Sequence, residues 1–141
     1  MNKKELFYAG ALLYACEGTV LRKDKRGENR FNYAIEFTNS KSQPMALFAK
    51  FLREIIVIDE SRLRGQLFAY PDHNKDELIS YWSNVSGIPS SQFQKVIDLK
   101  QTSGKFNPSR YGTFKLRYNN KNDFLKLQEI IEQTWRDAGV V

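Results

Sequence analysis

Apolar and polar side chains alternate along residues 30–39 (RFNYAIEFTN). Phe31, Tyr33, Ile35 and Phe37 would lie on one side of an extended chain, and the residues between them on the other. A period of two predicts a strand with one buried face. A fold that contains this segment must therefore cover one side of a sheet and leave the other side to polar groups.

Residues 62–70 and 111–119 alternate in the same way, and residues 18–23 and 92–100 are weaker strand candidates. Apolar residues at helical spacing predict helices between these strands, near residues 2–16, 42–56, 75–86 and 122–137. The predicted order is αββαβαββα, which favours the α+β class with an antiparallel sheet backed by helices. Because no repeat or linker interrupts the chain, we expect one domain over residues 1–141.

The composition points to a polyanionic partner. The formal net charge is +6 and the pI is about 9.4, which favours nucleic acid first and an anionic surface second. One cysteine and one histidine exclude a disulfide framework and a zinc site rich in cysteine or histidine. We therefore expect a cytoplasmic protein, and no apolar run approaches the roughly 20 residues that would span a membrane.

Residues 7–18 (FYAGALLYACEG) have three interpretations. The first is the apolar region of a lipoprotein signal, with Cys16 in the cleavage box, although Glu5 and Tyr14 fit such a signal poorly. The second is an ordinary buried helix. The third is a helix that presents Glu17 at its tip.

The polar sides of the predicted strands carry a basic, amide-bearing set of side chains. Arginine, asparagine and glutamine read base edges in the major groove, and lysine and arginine bind phosphates. Charged residues also occupy the solvated face of any half-buried sheet, so this alternative stays open. The predicted DNA-binding residues are Arg22, Lys23, Arg30, Asn32, Arg62, Arg64, Gln66, Lys115 and Arg117.

Small residues in the first predicted helix follow i, i+4, i+7 spacing: Ala11, Ala15 and Gly18. Such a stripe allows two backbones to approach closely, and it would form a dimer interface if the partner is a second copy. Glu17 of each copy would then lie near its twin, and two adjacent carboxylates need a divalent cation between them. The alternative for Glu17 is an ordinary exposed acid after a core helix.

Residues 10–18 (GALLYACEG) resemble the LAGLIDADG motif of homing endonucleases, with Glu17 at the acidic position before the final glycine. Residues 37–40 (FTNS), and residues 81–82 (YW) followed by 87–89 (GIP), also resemble prokaryotic members of that family. Cys16 departs from the family pattern, since it replaces a small alanine.

The resemblance implies a saddle of antiparallel strands over the DNA major groove, with the motif helices paired in a homodimer. It implies metal-dependent cleavage of double-stranded DNA, with Mg²⁺ or Mn²⁺ as cofactor and no small-molecule substrate. Glu17 would be the catalytic metal ligand and Gly18 its backbone partner. A catalytic basic residue is also implied, and the candidates are Lys95, Lys100 and Lys115.

Two alternatives stay open. A non-catalytic DNA-binding regulator on the same fold would keep the basic sheet and lose cleavage. A helix-turn-helix protein would instead use residues 76–97, with residues 86–89 (SGIP) as the turn.

Overall fold

The computed structural model describes residues 1–19, 22–23, 31–100 and 110–140, and for residues 22, 23 and 31 it describes the backbone alone. The described helices are α1 Lys3–Glu17, α2 Ser42–Phe51, α3 Lys75–Ser86 and α4 Lys121–Ala138. The strands are β1 Arg22–Lys23, β2 Phe31–Asn32, β3 Ala34–Asn39, β4 Leu63–Ala69, β5 Ile97–Asp98 and β6 Thr113–Asn119. The α+β class is confirmed, and so is the predicted element order if β2 and β3, separated only by Tyr33, count as one strand.

The main sheet has the order β3-β6-β4-β5. β6 is antiparallel to both β3 and β4, whereas β5 runs parallel to β4. The prediction of a wholly antiparallel sheet is therefore wrong at this edge. After β4 the chain passes through α3 before it returns to the sheet, and such a crossover lets the next strand run in the same direction.

The first hairpin extends beyond β3. β1 and β2 form a separate antiparallel pair, in which Arg22 lies opposite Asn32. Gly18 forms an isolated antiparallel bridge with Phe37 of β3. Gly18, directly after α1, thus lies at the outer edge of β3.

Asparagine side chains begin three of the helices. Asn2 forms a capping box with Glu5, in which each side chain bonds to the other residue's backbone N–H. The predicted start of α3 is confirmed, since Asn74 Oδ1 accepts a hydrogen bond from the Glu77 N–H. Asn120 caps α4 in the same way. These caps satisfy backbone donors that a helix leaves unpaired at its first turn.

The core lies between one face of the sheet and the helices. Its largest buried side chains include Trp82, Tyr118, Phe37, Phe48, Phe51 and Phe114. α1 enters this core through Leu6, Gly10, Ala11 and Tyr14. A Cβ on Gly10 would lie 2.1 Å from the Phe51 ring, so glycine is needed for α1 to approach α2 this closely.

Residues 92–100 do not form the predicted continuous strand. A 3₁₀ turn covers Ser90–Gln92, Phe93 then bridges to Gly65, and only Ile97–Asp98 pairs with β4. The helix-turn-helix alternative is wrong, because residues 93–98 are extended rather than helical. β-branched Val96 and Ile97 favour this extended backbone.

Among the described residues, no helix is both long enough and apolar enough to cross a bilayer.

Candidate nucleic-acid interface

The sheet has a polar face on the side opposite the core. We define this polar face by Glu36, Thr38, Arg64, Gln66, Lys115 and Arg117. The strand register arranges them in two rows, Glu36–Arg117–Arg64 and Thr38–Lys115–Gln66. Each residue alternates along its strand with a core side chain, except that β3 is buried on both sides from Ala34 to Phe37. The predicted division of the strands into two faces is confirmed for these residues.

Glu36 forms ion pairs with two cations of the polar face. Its Oε1 lies 3.1 Å from Nη1 of Arg117, and its Oε2 lies 3.5 Å from Nζ of Lys115. The Glu36 side chain is only 6% exposed, whereas Arg117 is 27% and Lys115 is 19% exposed. The carboxylate therefore lies beneath the cations, and the polar face presents three basic groups against one buried acid.

Arg64 and Gln66 on β4 are held by backbone carbonyls. Nη1 of Arg64 donates to the carbonyls of Ser61 (2.7 Å) and Leu63 (2.9 Å). Nε2 of Gln66 donates to the Lys95 carbonyl at 3.0 Å. These bonds set the direction of both side chains before any ligand arrives.

The other predicted DNA-binding residues do not all lie on this face. Arg62 is exposed but belongs to the 3₁₀ turn Glu60–Arg62 that precedes β4, so its assignment to the strand is wrong. Asn32 Oδ1 accepts from the Ala34 N–H at 3.2 Å, across the break between β2 and β3. Arg30 lies outside the described residues, while Arg22 and Lys23 are placed in β1 by their backbone alone.

The end of α1 is fastened to β3 by Tyr14. Its hydroxyl donates to the Thr19 carbonyl at 2.6 Å and accepts from the Glu36 N–H at 3.3 Å. The Thr19 N–H in turn donates to the Glu36 carbonyl at 3.1 Å. A Cβ on Gly18 would lie 2.3 Å from the Tyr14 ring, so a side chain at residue 18 would clash with it. This joint fixes the tip of α1, and with it Glu17, at the edge of the sheet.

Glu17 is exposed, and its carboxylate is oriented by a neighbour. Nδ2 of Asn39 donates to Glu17 Oε2 at 2.8 Å. Asn39 is itself held, because its Oδ1 accepts from the Lys41 N–H at 2.8 Å. No role was predicted for Asn39, although it stands within the FTNS block that resembles the family.

The three candidate lysines lie at different distances from Glu17. Adjacent strands are about 4.8 Å apart, so the sheet order gives a scale. Lys115 on β6 is two strands from the Gly18 bridge, roughly 10 Å. Lys95 and Lys100 flank β5, four strands away at roughly 19 Å. Of these three lysines of one chain, Lys115 is the one near the Glu17 end of the sheet.

The donors at Glu17 suit a hard divalent cation. The Glu17 carboxylate and a backbone carbonyl near Gly18 are oxygen ligands of the kind that Mg²⁺ accepts together with water, whereas the Asn39 amide oxygen is engaged by the Lys41 N–H. Across the described ranges, no group of three or more histidine, cysteine or acidic residues converges on one point.

The predicted small-residue stripe does not form one surface. Ala11 is fully buried in the chain's own core, and Gly18 faces the Tyr14 ring. Ala11 is therefore wrong as a contact with a second copy, because it already packs within the chain, whereas half-buried Gly18 stays a prediction. Only Ala15 is exposed, and it shares the outward face of α1 with Leu12, which is 40% exposed, and Cys16.

No model of a protein family matches the chain, and no curated protein or solved structure is significantly similar to it.

Proposed function

We propose that this protein binds double-stranded DNA through its polar face and cleaves it as a homodimer with Mg²⁺ or Mn²⁺, in the manner of single-motif LAGLIDADG homing endonucleases. One observation carries the proposal. The exposed Glu17 carboxylate is held by Asn39 at the edge of the same sheet that presents Arg64, Lys115 and Arg117. The hydrogen bond between Glu17 and Asn39 of β3 thus joins the acid to the basic surface.

DNA binding is supported by the form and charge of the polar face. Strands of a sheet fit the major groove, where arginine and glutamine can read base edges. Arg64, Gln66 and Arg117 lie on adjacent strands, and each has a fixed hydrogen-bond or ion-pair partner. The net charge of +6 would add phosphate contacts at the edges of the face.

Pairing along α1 is supported by the outward face of Leu12, Ala15 and Cys16. This face contains no charged residue, and small side chains allow two helices to approach closely. A two-fold axis along it would bring the two Glu17 side chains together at one end of the seam. In this proposal the protein acts in the cytoplasm, and Cys16 remains a free thiol.

In this proposal, phosphodiester cleavage would need a metal ion and the residues that hold it. When bound, the metal supplies an activated water and stabilises the oxygens of the displaced phosphodiester. Glu17 would hold the metal, and Asn39 would keep the carboxylate aimed. Gly18 would offer its backbone to the same site. Lys115 would be the basic residue that approaches the phosphate.

A DNA-binding regulator without cleavage is the second candidate, and one observation favours it. Nζ of Lys115 lies 3.5 Å from the Glu36 carboxylate and 5.8 Å from the centre of the Phe68 ring. Of the three candidate lysines, the one nearest to Glu17 thus already has partners within the sheet, which limits its reach toward a phosphate.

Incubation of the full chain with a random-sequence duplex library and Mg²⁺ or Mn²⁺ separates the two. We expect cuts by the wild type, and binding without cuts by Glu17→Gln. Glu132→Gln is the matched control, since it removes the same charge from an exposed position on α4 and should cut normally. Binding without cuts by the wild type would favour the regulator, and equal cutting by Glu17→Gln would contradict the role of this carboxylate.

A further inference from the structure

We infer that Glu36 is a positioning residue for sequence recognition, which holds Arg117 in one orientation so that this arginine reads bases rather than binding phosphate. This inference rests on the proposed DNA binding, but not on cleavage. It starts from an anomaly in the polar face: an acid lies in the middle of a basic surface, where it would weaken attraction to DNA.

The geometry explains what the acid does there. Glu36, Arg117 and Arg64 are directly opposite one another on β3, β6 and β4. Side chains opposite each other on adjacent strands have Cβ atoms about 5 Å apart, and like charges in this arrangement repel. Since the Ser61 and Leu63 carbonyls hold Arg64, we expect that without Glu36 the Arg117 side chain would turn away from Arg64 toward solvent.

Glu36 contacts Arg117 in a way that leaves much of the guanidinium available. The bond joins Nη1 of Arg117 to Oε1 at 3.1 Å. An arginine has five N–H donors in a rigid fork, so several remain for a ligand. Because the carboxylate is buried and the arginine is partly exposed, the guanidinium is held on its protein side and is accessible on its solvent side.

A fixed fork favours base reading. A bidentate contact from arginine to guanine requires a defined direction, whereas a phosphate accepts a cation from many directions. An unrestrained arginine would bind the backbone of any sequence. Glu36 therefore lowers affinity for DNA in general and raises discrimination between sequences.

Three proteins test this: the wild type, Glu36→Gln and Arg117→Lys. Each is used to select duplexes from a random-sequence pool. Each is then titrated with the duplex that the wild type prefers and with an unrelated duplex, at two salt concentrations. The ratio of the two affinities is the readout. A variant that is merely less folded has less active protein for both duplexes, so its ratio stays the same.

For Glu36→Gln we expect tighter binding to the unrelated duplex, a steeper salt dependence and an affinity ratio reduced about tenfold. Arg117→Lys keeps the charge but loses the fork, so we expect a similar loss of ratio with little change in binding to the unrelated duplex. Glu132→Gln, which removes an acid from α4, should leave the ratio unchanged.

An unchanged ratio in Glu36→Gln would overturn the inference. If that variant does not fold by circular dichroism, an unchanged ratio in Arg117→Lys overturns it instead. A wild type that binds DNA without sequence preference would also overturn it, while DNA binding itself would stand. A wild type that binds no duplex DNA would overturn the proposed function and this inference together.

Discussion

α1 and α4 pack against each other over the sheet, but their outward faces differ. α4 buries Phe124, Leu127, Ile130 and Ile131. Its exposed positions are mostly charged: Lys121, Lys126, Glu129, Glu132, Arg136 and Asp137. α1 has no charged residue from Leu6 to Cys16. A surface helix normally has an apolar stripe toward the core and a polar face toward solvent. α4 follows this pattern, whereas the outward face of α1 is apolar.

This contrast supports a partner for α1. The inward face of α1 is already filled by the core of its own chain, and the outward face is a second apolar surface. Exposed Leu12 lies between Ala9 and Ala15 on the side away from Gly10 and Ala11. A second copy of α1 would bury this surface without burying a charge.

The largest expected effect is on the inward face. Gly10→Ala places a methyl group 2.1 Å from the Phe51 ring. We expect it to lower the free energy of unfolding by about 2–3 kcal/mol, although alanine is the better helix former by about 1 kcal/mol. Unfolding in urea, followed by circular dichroism, measures the change.

Phe51→Leu is the control for that variant. If the ring is the cause, the double variant Gly10→Ala/Phe51→Leu should lose less than the sum of the two single losses, by about 1 kcal/mol. Stability of Gly10→Ala equal to that of the wild type would contradict the packing of this side of α1 against α2.

The next effect is on the outward face. Leu12→Glu would place two like charges across the two-fold axis, so we expect the dimer dissociation constant to rise at least about tenfold. Leu125→Glu is the matched control, since Leu125 on α4 is 46% exposed and Leu12 is 40% exposed. Sedimentation equilibrium measures both.

We expect Leu12→Glu to be monomeric at concentrations where Leu125→Glu remains dimeric, with both folded. Equal masses for the two variants would remove α1 as the dimer interface. A monomeric wild type at high concentration would remove the homodimer itself, and with it the shared metal site.

The same contrast explains what the sequence could predict. The range predicted for α3 agrees with the structure because its ends are set locally, by the Asn74 side-chain cap and by Gly87, whose backbone is left-handed with φ of 73°. The two faces of β4 and β6 were predicted because polar and apolar residues alternate. In α1 both faces are apolar, so nothing in the sequence distinguished inward Ala11 from outward Ala15.

Contacts between distant segments were not predictable. The parallel pairing of Ile97–Asp98 with β4 depends on where α3 returns the chain, and the Asn39–Glu17 hydrogen bond depends on the fold between them. The sequence placed Glu36 on the polar face. Its pairing with Lys115 and Arg117 required the register of β3 against β6, because that register alone determines which cations meet the acid.

The smallest expected effect lies where the two helices meet in solvent. The Tyr8 hydroxyl of α1 donates to Asp137 Oδ2 of α4 at 2.6 Å, and Nε2 of Gln133 donates to Oδ1 at 2.7 Å. The bond from Tyr8, more than that from Gln133, lowers the pKa of the Asp137 carboxyl below its usual value. A lowered carboxyl pKa means that the contact stabilises the fold above the usual aspartate pKa and is lost as the pH falls through the folded value.

Tyr8→Phe should therefore raise the Asp137 pKa toward its ordinary value, and Gln133→Ala should raise it less. A carbon-detected NMR titration of the Asp137 carboxyl in the two variants measures both shifts. A larger shift in Gln133→Ala would show that α4 orients this carboxyl by itself. In that case the charged surface of α4 would be independent of α1, and the difference between the two outward faces would be sharper still.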